Sequence, residues 1–184
     1  MYGTHNAATG ERGIGILSWL ATPFSRCQRK TLSHQYVSGC QLFDIRAKWY
    51  KGEWHCGHGL WTSKRTLLDI ITQLSKYDYA YVTLTVEGND TDYKRIISDG
   101  TLKEIRQMLN TPEHLHLVYL AVKKPTWRVV EYFNHMIANS INTDYEILDS
   151  HNWRRFIPIP YLWSRLRHPH PKTTYGTYTL VDFL

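Results

Sequence analysis

The sequence predicts an α/β protein built on a largely parallel sheet, and three observations support that fold class. Short β-rich runs alternate along the chain with segments of helical periodicity, which is the pattern of βαβ units. The length of 184 residues suits one domain around one core. Reactive polar residues gather at the ends of the β-rich runs, where α/β barrels place their active sites. We therefore expect a single domain that covers residues 1–184.

The elements follow from local patterns along the chain. The β-rich runs predict strands at residues 41–47, 53–59, 79–87, 115–121, 145–150 and 178–184. Helical spacing predicts helices at residues 31–38, 64–76, 101–109 and 127–140. Thr62 and Ser63 are the candidate N-caps of the helix at 64–76. Lys51 and Gly52 predict a turn between two strands.

Composition restricts the class of partner without selecting one. The chain carries 22 Lys and Arg against 16 Asp and Glu, a formal charge of +6, which favours an anionic partner such as phosphate, acidic lipid or nucleic acid. The 3 cysteines lie far apart, fit neither a zinc site nor a disulfide framework, and are expected to be reduced. No apolar run reaches the roughly 18 residues that span a bilayer, and no secretory signal is visible. We expect a soluble or membrane-peripheral protein of unassigned compartment.

Candidate site residues share one kind of position, near the predicted ends of strands. They are His5, Asn6, Asp44, Arg46, His58, Glu87 and Asp182. Taken singly, each has an ordinary structural interpretation, such as a satisfied histidine or a salt bridge. Their common position favours a single site, because the carboxyl ends of parallel strands meet at one end of an α/β barrel.

Four short pieces of sequence, taken in order, carry a family resemblance. They are Gly3–Ala7 (GTHNA), Ser38–Arg46 (SGCQLFDIR), His58–Gly59 followed by Thr62–Lys64, and Leu84–Glu87 (LTVE). In this order they resemble the catalytic X region of phosphatidylinositol-specific phospholipase C, a PLC-like phosphodiesterase family. The resemblance covers residues 3–88 and returns at Leu180–Phe183.

The resemblance implies a compact, trimmed or distorted TIM-type (β/α) barrel, because a complete barrel takes about 250 residues. Such trimming would leave strands unpaired at the edges of the sheet. An oligomer or a larger assembly that covers these edges is therefore a possible partner.

The resemblance also implies a role for each candidate. His5 would be the general base for the inositol 2-hydroxyl, and His58 the acid for the departing diacylglycerol oxygen. Arg46 would hold the phosphoryl oxygens, and Asp182 would orient His5. The implied products are inositol cyclic phosphate and diacylglycerol, from phosphatidylinositol or a related phospholipid at a membrane surface. The alternative is a noncatalytic lipid- or phosphate-binding or structural protein that has kept the fold.

The metal requirement depends on Arg46. Calcium-dependent relatives carry calcium ligands at the positions of Asn6, Asp44, Arg46 and Glu87. In this chain one of these four positions is therefore occupied by a guanidinium and not by an oxygen ligand. Calcium takes 6–8 oxygen ligands, whereas a guanidinium supplies positive charge itself. We expect a site without metal or cofactor, in which Asp44 and Glu87 flank Arg46 beside Asn6. If the protein is calcium-dependent, Asn6, Asp44 and Glu87 would be the ligands. Glu87 also stands where metal-free relatives can carry a substrate-binding lysine.

Two segments suit a membrane surface. Residues 150–181 contain 5 basic residues and no acidic residue, interleaved with aromatic residues: Arg154, Arg155, Arg165, Arg167 and Lys172 with Trp153, Phe156, Tyr161 and Trp163. This composition suits anionic lipid. It also suits single-stranded nucleic acid, which is the disfavoured partner, or an ordinary solvated loop. The apolar stretch Gly13–Phe24 is expected to be a helix buried over the barrel, with a lipid-contacting rim segment as the alternative.

Overall fold

The computed structural model describes residues 2–78 and 80–109 and the strand segments 117–120, 146–149 and 177–181. The strands in these parts are β1 (Tyr2–Thr4), β2 (Cys40–Tyr50), β3 (Glu53–His58), β4 (Trp61–Thr66), β5 (Tyr81–Val86), β6 (Leu117–Leu120), β7 (Glu146–Asp149) and β8 (Thr177–Val181). The helices are α1 (Gly15–Ser25), α2 (Leu32–Val37), α3 (Leu67–Leu74), α4 (Asp90–Ser98) and α5 (Thr101–Leu109), and a 3-10 helix covers Ala7–Gly10.

The sheet is a run of parallel strands with an antiparallel hairpin at one side. The parallel order is β7-β8-β1-β2-β5-β6. Strands β3 and β4 extend antiparallel from the end of β2. In the described ranges no ladder joins β6 to β7, so the sheet is a curled, incomplete barrel. The α/β class is therefore confirmed, and the expected oligomer or larger assembly at the edges stays a prediction.

Most predicted elements agree with the structure. Strands β2, β3, β5, β6, β7 and β8 overlap the six predicted runs, and α2 and α5 overlap two predicted helices. A turn joins β2 to β3 at Lys51 and Gly52, both with positive φ. The predicted helix at 127–140 and most of the basic, aromatic segment at 150–181 lie outside the described residues.

The helix predicted at residues 64–76 is present as α3 (Leu67–Leu74), but its predicted start is wrong. Thr62 and Ser63 are buried residues of β4 instead of helix N-caps. Helix α3 begins later, where the Thr66 side chain accepts from the Asp69 amide and the Asp69 carboxylate accepts from the Thr66 amide. This reciprocal capping box is the stronger start signal. Helix α4, capped by Asn89, was not predicted.

Helix α1 is also placed differently from the expectation. Its small residues Ser18, Ala21 and Ser25 are the buried ones, and the Ser18 hydroxyl exchanges hydrogen bonds with the Thr62 backbone on β4. Large apolar side chains project outward instead, with exposures of 55–72%: Ile16, Leu17, Trp19, Leu20 and Phe24. The expectation of a helix buried over the barrel is therefore wrong, because small residues mediate the close approach to β4.

The main core lies between the sheet and helix α3, which buries Leu67, Ile70, Ile71 and Leu74 completely. Ile71→Ala is expected to lower the free energy of unfolding by about 2–5 kcal/mol, because it removes buried methyl groups and leaves a cavity. The control is Ile97→Ala on α4, where the side chain is 47% exposed, and it should lower the free energy of unfolding by about 1 kcal/mol. Urea titration measures both. Equal losses would contradict this location of the core.

Candidate active site

His5 and Asn6 follow directly after β1, where the chain turns into the 3-10 helix. Asn6 adopts left-handed backbone angles, φ 47° and ψ 49°, which asparagine tolerates better than most residues. The Thr9 hydroxyl holds the turn by donating to the Asn6 carbonyl at 2.7 Å. His5 is 3% exposed, and β1 lies beside β2 in the sheet. The turn thus places the imidazole next to the polar residues of β2.

Asp44 connects the residues around it. Alternation along β2 places Asp44 and Arg46 on one face. The buried Asp44 carboxylate accepts from the backbone N–H of Asn6 at 3.1 Å and from the Thr83 hydroxyl on β5 at 3.3 Å. The same carboxylate lies 3.8 Å from both Arg46 Nε and His5 Nε2. Asp44 therefore links three adjacent parallel strands at one end of the sheet.

Arg46 is the central cation of the site. It donates to Glu87 Oε2 at 3.2 Å, and its Nη2 lies 2.9 Å from His5 Nε2. Burial opposes its charge, but the carboxylates of Asp44 and Glu87 outweigh that effect and raise the pKa of Arg46 above its ordinary value. A guanidinium can only donate hydrogen bonds, so His5 Nε2 is the acceptor and carries no proton in this contact.

His58 ends β3 and faces His5. Their ring centroids are 6.3 Å apart and their planes are nearly perpendicular, at 86°. Glu87 follows β5, and its backbone amide donates to the Ala47 carbonyl of β2. Besides pairing with Arg46, the Glu87 carboxylate accepts from the Gly59 amide at 3.2 Å, next to His58. The site therefore contains two facing imidazoles, and the guanidinium of Arg46 contacts the imidazole of His5.

The structure brings six of the seven candidates together: His5, Asn6, Asp44, Arg46, His58 and Glu87. Asp182 lies outside the described residues, so its role beside His5 stays a prediction, as do the chemical roles of the others.

Two further residues at the site were missed. Lys48 lies two positions after Arg46 on β2, and its ammonium donates to the Gly59 carbonyl at 2.6 Å. Cys27 is fully buried, and its sulfur lies 3.2 Å from the side-chain nitrogen of Asn6, Nδ2. The period-two repeat of charged residues along β2 was the available signal for Lys48, whereas no sequence pattern indicated Cys27. All three cysteines are free and buried, and burial raises the pKa of Cys40 to about 12.

The described residues do not fit a calcium cage. Asn6 Oδ1 is a buried oxygen without a hydrogen-bond partner in this part of the chain, and such an oxygen can serve as a ligand. The carboxylates of Asp44 and Glu87, however, both lie against Arg46. Two unit charges of like sign about 4 Å apart repel by about 4 kcal/mol at an effective dielectric of 20, so calcium and the guanidinium compete for one position. Among the described residues, no three His, Cys, Asp or Glu side chains cluster closely enough to hold a metal ion.

The fold is an incomplete α/β barrel of a PLC-like kind. Two solved structures have this fold. Phosphatidylinositol-specific phospholipase C from Listeria monocytogenes is 14% identical with a TM-score of 0.56, over 100% of this chain and 87% of that one. A single-site mutant of phosphatidylinositol-specific phospholipase C from Staphylococcus aureus is 11% identical with a TM-score of 0.60, over 100% of this chain and 85% of that one. No family model and no curated protein matches the chain. At these identities the likeness is one of fold.

Proposed function

We propose that the protein is a phosphodiesterase of the phosphatidylinositol-specific phospholipase C type, which cleaves its substrate by attack of the inositol 2-hydroxyl. The observation that carries the proposal is the pair of imidazoles, His5 and His58, whose centroids lie 6.3 Å apart beside Arg46. Cleavage of a phosphodiester by a neighbouring hydroxyl needs a base, an acid and a cation near the phosphate. The fold shared with two bacterial enzymes of this type supports the same reaction class.

The proposed reaction transfers one proton at each imidazole. His5 Nε2 takes the proton of the 2-hydroxyl while that oxygen forms a bond to phosphorus. The bond from phosphorus to the diacylglycerol oxygen breaks, and protonated His58 gives its proton to the departing alkoxide. Inositol cyclic phosphate and diacylglycerol leave, and solvent returns the two imidazoles to their starting forms. Each histidine thus transfers one proton in the chemical step and is restored before the next turnover.

Arg46 is proposed to bind the phosphoryl oxygens and to free the base. Its guanidinium contacts His5 Nε2 at 2.9 Å. A bound phosphate would attract the guanidinium to its own oxygens and leave Nε2 open to the hydroxyl. The raised pKa of Arg46 keeps the side chain positive at any working pH, so the charge that develops on phosphorus oxygens meets a permanent cation.

Replacement of either histidine tests the acid–base chemistry. His5→Ala and His58→Ala are each expected to lower turnover by roughly 10²–10⁴, the usual contribution of a positioned proton-transfer group. Phosphorus NMR with phosphatidylinositol vesicles follows formation of the cyclic phosphate. His34→Ala, on the exposed side of α2, is the control and should behave as wild type. A wild-type protein that binds the vesicles without forming product would favour the noncatalytic alternative.

The site is further proposed to work without a metal. Turnover is expected to survive a chelator, and wild-type protein should bind no calcium up to about 1 mM, the weak end of protein calcium sites. Arg46→Asp removes the competing cation and adds oxygen ligands, so it should lose turnover and gain calcium binding in calorimetry. Loss of wild-type activity on chelation, restored by calcium alone, would instead make Asn6, Asp44 and Glu87 ligands.

The proposed partner is a lipid bilayer, contacted through the outward face of α1. That helix carries no charged residue and exposes five large apolar side chains, and Leu60, between β3 and β4, is a further apolar residue that is 71% exposed. The last residue of α1, the buried Ser25, adjoins the His58 turn, since a Cβ on Gly59 would lie 3.5 Å from Ser25 Oγ. The C-terminal end of α1 therefore lies beside the site. The exposed apolar side chains of one helix suit a peripheral contact with the bilayer surface. Among the described residues, none of the helices could span a membrane.

Substitution on α1 tests this contact. Trp19→Ala is expected to weaken binding to anionic vesicles at least tenfold, because burying one large apolar side chain contributes about 1.5–3 kcal/mol. Trp19 is 72% exposed, so the stability of the fold should hardly change. Val37→Ala on α2, where the side chain is 82% exposed, is the matched control. Equal sedimentation of the two variants with vesicles would exclude α1 as the membrane face.

A further inference from the structure

Charged side chains bind both the backbone N–H and the backbone carbonyl of Gly59. We propose that these side chains, Glu87 and Lys48, position His58 for proton donation. We call the arrangement the Gly59 clamp. This inference rests on the proposed function, because it assumes that His58 is the acid. Lys48 and Glu87 act through the backbone next to His58 and are positioning residues.

The clamp consists of two hydrogen bonds to one residue. Glu87 Oε1 accepts from the Gly59 amide at 3.2 Å, and Lys48 Nζ donates to the Gly59 carbonyl at 2.6 Å. Gly59 has a φ of 58°, in the left-handed region that side-chain-bearing residues rarely adopt. Hydrogen bonds to ionised groups are stronger than those between neutral groups. The two charges therefore hold the exposed turn that directly follows His58 in a single conformation.

Packing determines the path of the Lys48 side chain. A Cβ on Gly57 would lie 2.5 Å from Lys48 Cδ and 2.7 Å from Lys48 Cβ, so the lysine stem runs directly over Gly57. His58 thus stands between two glycines, and Lys48 packs across one and binds the other. A glycine at position 57 is required because any other residue would push the lysine stem away from β3.

Glu87 connects the clamp to the cation that is proposed to bind phosphate. One carboxylate oxygen contacts Arg46 and the other contacts the Gly59 amide, both at 3.2 Å. A shift of Arg46 toward a bound phosphate is therefore transmitted to the His58 turn through one rigid group. Lys48 supplies a second positive charge beside Glu87. Burial lowers the pKa of Lys48, and Glu87 partly opposes that effect.

The consequence for catalysis depends on the leaving group. A departing alkoxide needs a proton from His58, whereas 4-nitrophenolate is stable enough to leave without one. Loss of the clamp should therefore slow cleavage of an alkyl ester and spare an aryl ester. A variant that disturbs the fold would slow cleavage of both esters, so the comparison separates an effect on the position of His58 from an effect on folding.

The test uses two soluble substrates, short-chain phosphatidylinositol and inositol 4-nitrophenyl phosphate. Lys48→Met keeps the stem and removes the donor; on the alkyl ester it is expected to lower kcat by roughly 10–10², because small misplacement of a catalytic group costs about that much. KM should stay within about twofold, and kcat on the aryl ester within about threefold of wild type. Lys48→Arg should restore most of the activity, and the exposed Lys76→Met is the matched control.

Amide hydrogen exchange at Gly59 measures the clamp without turnover. Exchange should be slow in wild type and at least about tenfold faster in Lys48→Met and in Glu87→Gln. Equal loss on both esters, an effect on KM alone, or unchanged exchange at Gly59 would each overturn the clamp. An inactive wild-type protein whose Gly59 exchange still responds to these variants would refute the proposed function, and with it the catalytic role, while the structural clamp would stand.

Discussion

The end of the sheet is organised around a guanidinium enclosed by two carboxylates. Burial lowers the pKa of Arg46, but the nearby charges of Asp44 and Glu87 raise it above its ordinary value. The Asp44 carboxylate is buried, whereas Arg46 and Glu87 are each partly exposed. Asp44 additionally binds the backbone N–H of Asn6 and the Thr83 hydroxyl, so the network joins the ends of three strands. The positions of both histidines depend on this network.

The charge balance of the network suits a singly charged anion. The negative charges of Asp44 and Glu87 are matched by the positive charges of Arg46 and Lys48, all within contact of one another or of the Gly59 turn. Protonation of His58 then adds one positive charge, which a phosphodiester would neutralise. In the proposed reaction, the acid form of His58 is thus also the form that best attracts the substrate. A calcium ion would upset this balance.

Helix α1 shows why an apolar segment need not be part of a core. Its small residues pack against β4, and its large apolar residues project outward, an arrangement that suits a surface facing lipid. Sequence periodicity identifies a helix with apolar residues but does not say whether small or large side chains face the sheet. That choice depends on the distance between the helix and β4. At this distance the Ser18 hydroxyl donates to the Thr62 carbonyl and accepts from the Thr62 backbone N–H.

The sequence by itself determined the α/β class, and period-two alternation placed Asp44 and Arg46 on one face of their strand. The GTHN piece and His58 were assigned to the same site by the family resemblance and not by periodicity. Only the tertiary structure decided the start of α3, since the polar run at residues 62–66 suits both a strand and an N-cap until pairing with β3 is known. The same holds for the Gly59 clamp. Its partners lie on β2, after β3 and after β5, so their contact is a property of the strand register, which local patterns do not specify.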